Sequence, residues 1–118
     1  MTRHDDAMSL RHMLDHATVA VEMAQGRRRE DLSSDRQLNL CLVRLVEVVG
    51  EAASRVTQST RRKLGGIPWA AVVGLRNRLI HAYDKVDFDI LWDVVQMDLP
   101  PLIEQLKTAL GLDGRNQI

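Results

Sequence analysis

The eight residues RNRLIHAY, at positions 76 to 83, combine side chains that could act on a phosphodiester bond. Arginine offers a fork of N–H donors that grips phosphate and neutralises charge growing on its oxygens. Histidine titrates near neutrality and can accept or release a proton at cellular pH. Arg76 and His81 could therefore serve RNA cleavage without a metal, a reaction that needs a base, an acid and a cation near the phosphoryl oxygens.

The spacing of these residues adds a geometric constraint. At about 100° per residue, Arg76 and His81 point roughly 140° apart if one helix continues through both. Either the helix loosens before His81, or two copies of the chain contribute one set each around a two-fold axis. Arg78 lies on the same side as His81, and Tyr83 returns close to the direction of Arg76. An amphipathic helix with a buried, hydrogen-bonded histidine also fits, so the spacing alone does not decide.

The elements that must position this stretch are predicted to be helices. No segment alternates in the manner of a strand, whereas helical periodicity covers four segments, so we predict an all-α fold. The helices are expected at about 6–25, from 33–35 to about 56, from Pro68 through the RNRLIHAY stretch, and from Asp87 onward. The second should bury a stripe formed by Leu38, Leu42, Leu45, Val49, Ala52 and Val56.

Local signals mark the ends of these helices. Gly26 is expected to end the first helix in a left-handed conformation. Any of residues 33–35 could cap the second, and Pro68 suits the first turn of the third. Asp87 is expected to cap the last helix, in which Pro100 and Pro101 predict a kink or a break.

Composition limits the class of protein. A chain of 118 residues is expected to form one domain, residues 1–118, without a separate cofactor domain. No apolar run reaches the roughly 20 residues of a membrane span, and the charged start predicts a cytoplasmic protein that does not associate with membranes. The lone Cys41, set among aliphatic residues, is interpreted as a small buried hydrophobe. The absence of Walker, dinucleotide, nucleophile-elbow and CxxC motifs predicts no cofactor.

The formal net charge is zero, so any affinity for RNA must be local. Two basic clusters, residues 27–29 and 61–63, could supply it, although basic runs at helix ends are more often solvated caps.

Two further pairs share helix faces. His12 and His16 have the spacing of two metal ligands, but further ligands are missing, so exposed histidines are the better interpretation and no metal site is predicted. Glu47 and Glu51 could be paired carboxylates, but arginines at 44 and 55 flank them. We interpret this strip as structural or as part of an interface.

RNRLIHAY, with GGIPWAAVVGL before it and DKVDFDILWDVVQMDLPPLIEQL after it, resembles the core of the HepT-like toxins of the HEPN ribonuclease superfamily. The segment LVRLVEVVGEAASRV resembles the second helix of the same family, including its Gly-Glu-Ala-Ala element. The resemblance spans most of the chain and implies an antiparallel, HEPN-like bundle of four to five helices.

The resemblance also implies roles for individual residues. Arg76 and His81 match the Arg-x4-His ribonuclease motif, Asn77 matches the polar residue after that arginine, and Tyr83 matches the tyrosine of His-x-Tyr. Family members form homodimers whose motifs meet in a cleft. They pair with a minimal nucleotidyltransferase antitoxin that can attach AMP to the motif tyrosine, and such an anion would repel RNA phosphates.

We therefore expect a metal-independent RNA-cleaving toxin. The alternative is a non-catalytic helical module that docks the nucleotidyltransferase.

Overall fold

The computed structural model describes residues 5–80 and 85–112, and these residues form an all-α bundle, as predicted. The first helix, α1, spans Asp6–Ala24, and the carboxylate of Asp5 caps it by accepting a hydrogen bond from the amide of Met8. Gly26, with φ of 74°, turns the chain in the left-handed conformation expected of it.

The second long helix begins where one of the three candidate caps lies. A single turn, α2, spans Asp31–Ser34, and α3 spans Arg36–Ser54. The Asp35 carboxylate accepts a hydrogen bond from the amide of Leu38 and is the cap of α3. Ser33 and Ser34 belong to α2, so they do not cap α3.

Helices α1 and α3 pack against each other and carry much of the core. The predicted stripe of α3 is buried except for Leu45, which is only partly covered, while Val46 is fully buried. Cys41 is only partly buried, so its interpretation as a small buried hydrophobe holds only in part. It lies between the core stripe and the exposed face of α3.

A short helix that was not predicted follows α3. This helix, α4, spans Gln58–Lys63, and Thr57 caps it. The Asp6 carboxylate accepts hydrogen bonds from the amide and hydroxyl of Thr57 and from the hydroxyl of Thr60, which ties α4 to the start of α1. The residues of α4 are not buried, so the sequence has no apolar periodicity that would predict this helix.

The predicted third helix is divided in two. Helix α5 spans Trp69–Val73 and α6 spans Leu75–Leu79, with Gly74 between them. Pro68 precedes α5 as its cap. The sequence predicted Pro68 inside the first turn of this helix, so that prediction was wrong by one position. The helix does not continue through RNRLIHAY, because Ile80 is extended and forms an isolated antiparallel bridge with Val86.

The last helical region contains a π-helical segment before its two prolines, where a kink or a break was expected. Helix α7 spans Phe88–Asp93, and Asp87 caps it by accepting hydrogen bonds from the amides of Asp89 and Ile90. A π-helical segment, Val94–Asp98, then leads into α8, Leu99–Ala109. Because proline lacks an N–H and crowds the preceding turn, the wider turn just before Pro100 and Pro101 accommodates both.

Among the residues described, no helix combines the length and apolar character needed to cross a membrane.

Candidate functional site

An open groove of about 280 Å³ lies between α3 and the α5–α6 pair. Arg76 and Asn77 of α6 line one side of it. Arg44, Glu47 and Glu51 of α3 line the other side. The structure thus brings part of the RNRLIHAY stretch together with the acidic strip that the sequence presented separately.

The burial pattern of α6 explains why Arg76 points away from the core. Leu75 and Leu79 are four residues apart and buried, so they fix one side of the five-residue helix against the core. The intervening residues 76–78 must then point outward, and all three are exposed.

Gly50 sets how closely the two sides of the groove approach. A Cβ atom at Gly50 would lie 3.0 Å from the carbonyl oxygen of Val72 and 3.7 Å from the Cβ of Leu75. The first of these separations is shorter than ordinary van der Waals contact, so the missing side chain allows α5 to lie directly on the backbone of α3. Glu47, one turn earlier on α3, is thereby placed beside Arg76.

Arg76 and Glu47 form an ion pair across the groove. The Nε–H of Arg76 donates to Oε2 of Glu47 over 3.3 Å. The Glu47 side chain is 22% exposed, whereas that of Arg76 is 66% exposed. The sequence presented Glu47 only as part of a strip along α3 flanked by arginines, whereas the structure pairs it with an arginine 29 residues away. The sequence showed only that Glu47 and Glu51 share a helix face, and it gave no sign of the contact between Glu47 and Arg76.

Arg78 belongs to a different surface. Its Nη1 donates to Oδ2 of Asp98 over 2.7 Å, and both residues line a second cavity, of about 430 Å³, between α5–α6 and α8. Two arginines on one short helix therefore have different carboxylate partners on different sides of the bundle, and only Arg76 faces the groove.

The helix ends at Leu79, two residues before His81, as the first of the two geometric arrangements requires. Ile80 and Val86 lie opposite each other, and the amide of Asp87 donates to the carbonyl of Leu79. His81 and Tyr83 themselves lie outside the described residues, so their position relative to Arg76 stays a prediction.

Two arginines of the first basic cluster, residues 27–29, contact carboxylates of the fold, one nearby in the chain and one distant. Arg27 pairs with Asp31 and Asp35. Its hydrogen bond holds the pKa of the Asp35 carboxyl below the ordinary value of 3.8, with a further contribution from the amide of Leu38. Arg29 pairs with Asp89 and lies over the ring of Phe88. Two of the three arginines in this cluster therefore stabilise the fold.

Arg61 of the second cluster, residues 61–63, is likewise structural. Its guanidinium donates to the carbonyl oxygens of Ala53, Ser54 and Val56 and lies over the ring of Trp69. It thus satisfies carbonyl groups at and just beyond the end of α3, where a helix has no hydrogen-bond donors of its own.

The two histidines of α1, His12 and His16, contact each other. Nδ1 of His16 donates to the carbonyl oxygen of His12 over 2.8 Å, and the rings lie edge to face with centroids 6.3 Å apart. His12 is exposed, as expected, and His16 is half-buried. Within residues 5–80 and 85–112, His, Cys, Asp and Glu side chains form no group of three or more suited to a metal ion.

Comparison with known proteins identifies the family to which this chain belongs. Residues 13–109 match the model of a family described as "Ribonuclease HepT-like". The chain belongs to the HepT-like ribonuclease family, as the RNRLIHAY resemblance implied.

Curated relatives carry related names. The chain is 33% identical over 101 residues to "Putative RNase TTE0752" of Caldanaerobacter subterraneus, covering 86% of this chain and 90% of the relative. It is 32% identical over 93 residues to "Probable ribonuclease HepT" of Thermococcus cleftensis, covering 75% and 84%. It is 28% identical over 107 residues to "Putative RNase MJ1380" of Methanocaldococcus jannaschii, covering 91% and 98%. No solved structure matches the chain significantly.

Proposed function

We propose that the protein is a metal-independent endoribonuclease toxin that acts as a homodimer in the cytoplasm. The observation that carries the proposal is the exposed Arg76 beside Asn77 in the groove, on a helix that ends before His81. Membership of a ribonuclease family supports RNA as the substrate.

Each residue of the motif has a role in this proposal. Arg76 binds the scissile phosphate and stabilises the charge that develops on its oxygens. His81 transfers the proton, and Asn77, exposed next to Arg76, positions the substrate. A second copy of the chain supplies the opposing set of residues around a two-fold axis.

The proposed partner is a minimal nucleotidyltransferase that attaches AMP to Tyr83. A phosphodiester-linked nucleotide there would add bulk and negative charge near Arg76, and so block RNA phosphates. Coexpression with such an enzyme, followed by mass spectrometry, should show one AMP added to the peptide containing Tyr83. An unmodified peptide together with complete inhibition would favour inhibition by binding alone.

The direct test of the proposed activity is RNA digestion in excess EDTA. We expect the wild-type protein to cleave, and His81→Ala to lose at least about 100-fold in rate because proton transfer is lost. His12→Ala, which removes an exposed histidine of α1, is the matched control and should cleave normally. Retained activity in His81→Ala would reject the role of His81.

A second candidate function is a non-catalytic module that docks the nucleotidyltransferase. It is favoured by the two carboxylates of the groove, Glu47 and Glu51, which lie where RNA phosphates would have to approach. Intact RNA after digestion, combined with tight binding of the nucleotidyltransferase, would support this function. If the protein is a nuclease, Arg76→Ala should abolish cleavage, whereas Arg11→Ala, an exposed change on α1, should not.

A further inference from the structure

The contact between Glu47 and Arg76 uses a particular edge of the guanidinium group. Glu47 accepts from Nε–H, the donor nearest the side-chain stem. Guanidinium has five N–H donors, so the four on Nη1 and Nη2 lie outside this contact. A phosphate held in a bidentate manner can use such donors, and the 66% exposure of Arg76 leaves its side chain accessible.

The two partners lie on helices of unequal length. Glu47 lies within a continuous helix of 19 residues, one turn from the point where Gly50 allows α5 to approach closely. Arg76 lies on a helix of five residues. A long, exposed arginine side chain has many accessible rotamers, and fixing them before substrate binds reduces the entropy lost on binding.

We infer that Glu47 is a positioning residue for Arg76, holding its guanidinium so that the Nη edge faces the scissile phosphate. The inference rests on the proposed ribonuclease function. It assigns to the acidic face of α3 a part in the reaction, although Glu47 itself need not touch RNA.

Glu47 could instead compete with RNA for Arg76. In that case its carboxylate would bind the guanidinium until an RNA phosphate displaces it. The two mechanisms predict opposite results. If Glu47 positions Arg76, removing the carboxylate lowers the rate. If Glu47 competes, removing it strengthens RNA binding and raises the rate at low substrate concentration. The Nε contact favours positioning, because it leaves the Nη donors to the substrate.

The test compares kcat and KM for RNA cleavage in three variants. Glu47→Ala should lower kcat about 10- to 100-fold, the loss typical of a misplaced catalytic group. Glu47→Gln keeps an oxygen acceptor for Nε–H and should retain most of the rate. Asp98→Ala is the matched control, since it removes the carboxylate partner of Arg78 on the same helix but outside the groove, and it should cleave at nearly the wild-type rate.

Two results would overturn the inference: an unchanged or raised kcat/KM in Glu47→Ala, or an equal loss in Asp98→Ala, which would indicate general loosening of α6.

A second measurement does not depend on activity. The NMR resonance of the Arg76 Nε–H, identified by its absence in Arg76→Lys, should be protected from exchange in wild type and in Glu47→Gln and unprotected in Glu47→Ala. Wild type that cleaves no RNA would reject the proposed function, whereas an Nε–H unaffected by Glu47→Ala would reject the positioning contact.

Discussion

Helices α1 and α3 are built differently from α5 and α6, the short helices beside the groove, the second of which carries Arg76. The two long helices have 19 residues each, have side-chain caps, and bury apolar stripes against each other. Helices α5 and α6 have five residues each, meet at Gly74, and lack side-chain caps. The difference indicates that the α1–α3 pair supplies stability, whereas α6 presents polar side chains at the surface. The following variants test how much each region contributes.

The largest expected effect is in the core of the α1–α3 pair. Leu42 is fully buried, so Leu42→Ala should lower the free energy of unfolding by about 2–5 kcal/mol, through lost burial and a cavity. Leu40→Ala, on the same helix at a side chain 54% exposed, is the control and should change it by less than about 0.5 kcal/mol. Urea denaturation measures both. Similar losses would show that α3 is not packed as described.

The next effect is expected where the two regions meet. Gly50→Ala places a Cβ 3.0 Å from a backbone oxygen of α5, which cannot rotate away as a side chain could. We expect a loss of about 2 kcal/mol in the free energy of unfolding, because overpacking outweighs the better helix propensity of alanine. The Arg76–Glu47 contact should weaken as α5 and α6 shift.

Gly65→Ala is the control for Gly50→Ala, since its Cβ would meet only an ordinary contact at 3.6 Å. Equal stability of the two variants would show that α3 and α5 can separate without cost, and that Gly50 does not position the groove.

A smaller effect is expected at the end of α3. Arg61→Ala removes hydrogen bonds to three carbonyl oxygens and the contact with the Trp69 ring, so it should cost about 1–2 kcal/mol. The neighbouring exposed Arg62→Ala should cost almost nothing. If RNA binding falls equally in both variants, the cluster has a role in binding that its contacts do not indicate.

The smallest effect concerns the pH dependence of stability at the start of α3. The pKa of Asp35 is lowered chiefly by Arg27, so its contribution is present above pH 3.8 and is lost as pH falls through the lower pKa of the folded state. Asp35→Asn keeps a capping side chain but removes the charge. The difference in thermal midpoint between wild type and Asp35→Asn should therefore shrink below pH 3.8. The control is Asp15→Asn, which removes an exposed carboxylate of α1.

The sequence predicted the long helices better than the short ones, for a physical reason. The caps Asp35 and Asp87 and the turn at Gly26 are local signals that need no knowledge of the tertiary fold. The break at Gly74 was missed because Val72, Leu75 and Leu79 continue a helical spacing through it. Helix α4 was missed because it buries nothing.

The candidate site was predicted only in part. Arg76 and Asn77 could be identified from the motif that carries them. The approach of Glu47 to Arg76 spans 29 residues and depends on the absence of a side chain at Gly50, so no local pattern contains it. The placement of His81 and Tyr83 beside them is still a prediction.

The π-helical segment before Pro100 determines which side chains of α8 reach the core. A π turn contains one residue more than an α turn, so the chain beyond it is rotated by about 100° relative to a continuous α-helix. Deleting one residue from 94–98 would turn Leu99, Leu102 and Leu106 away from α1 and bring polar neighbours inward. Chain length in this short interval is therefore as tightly constrained as residue type.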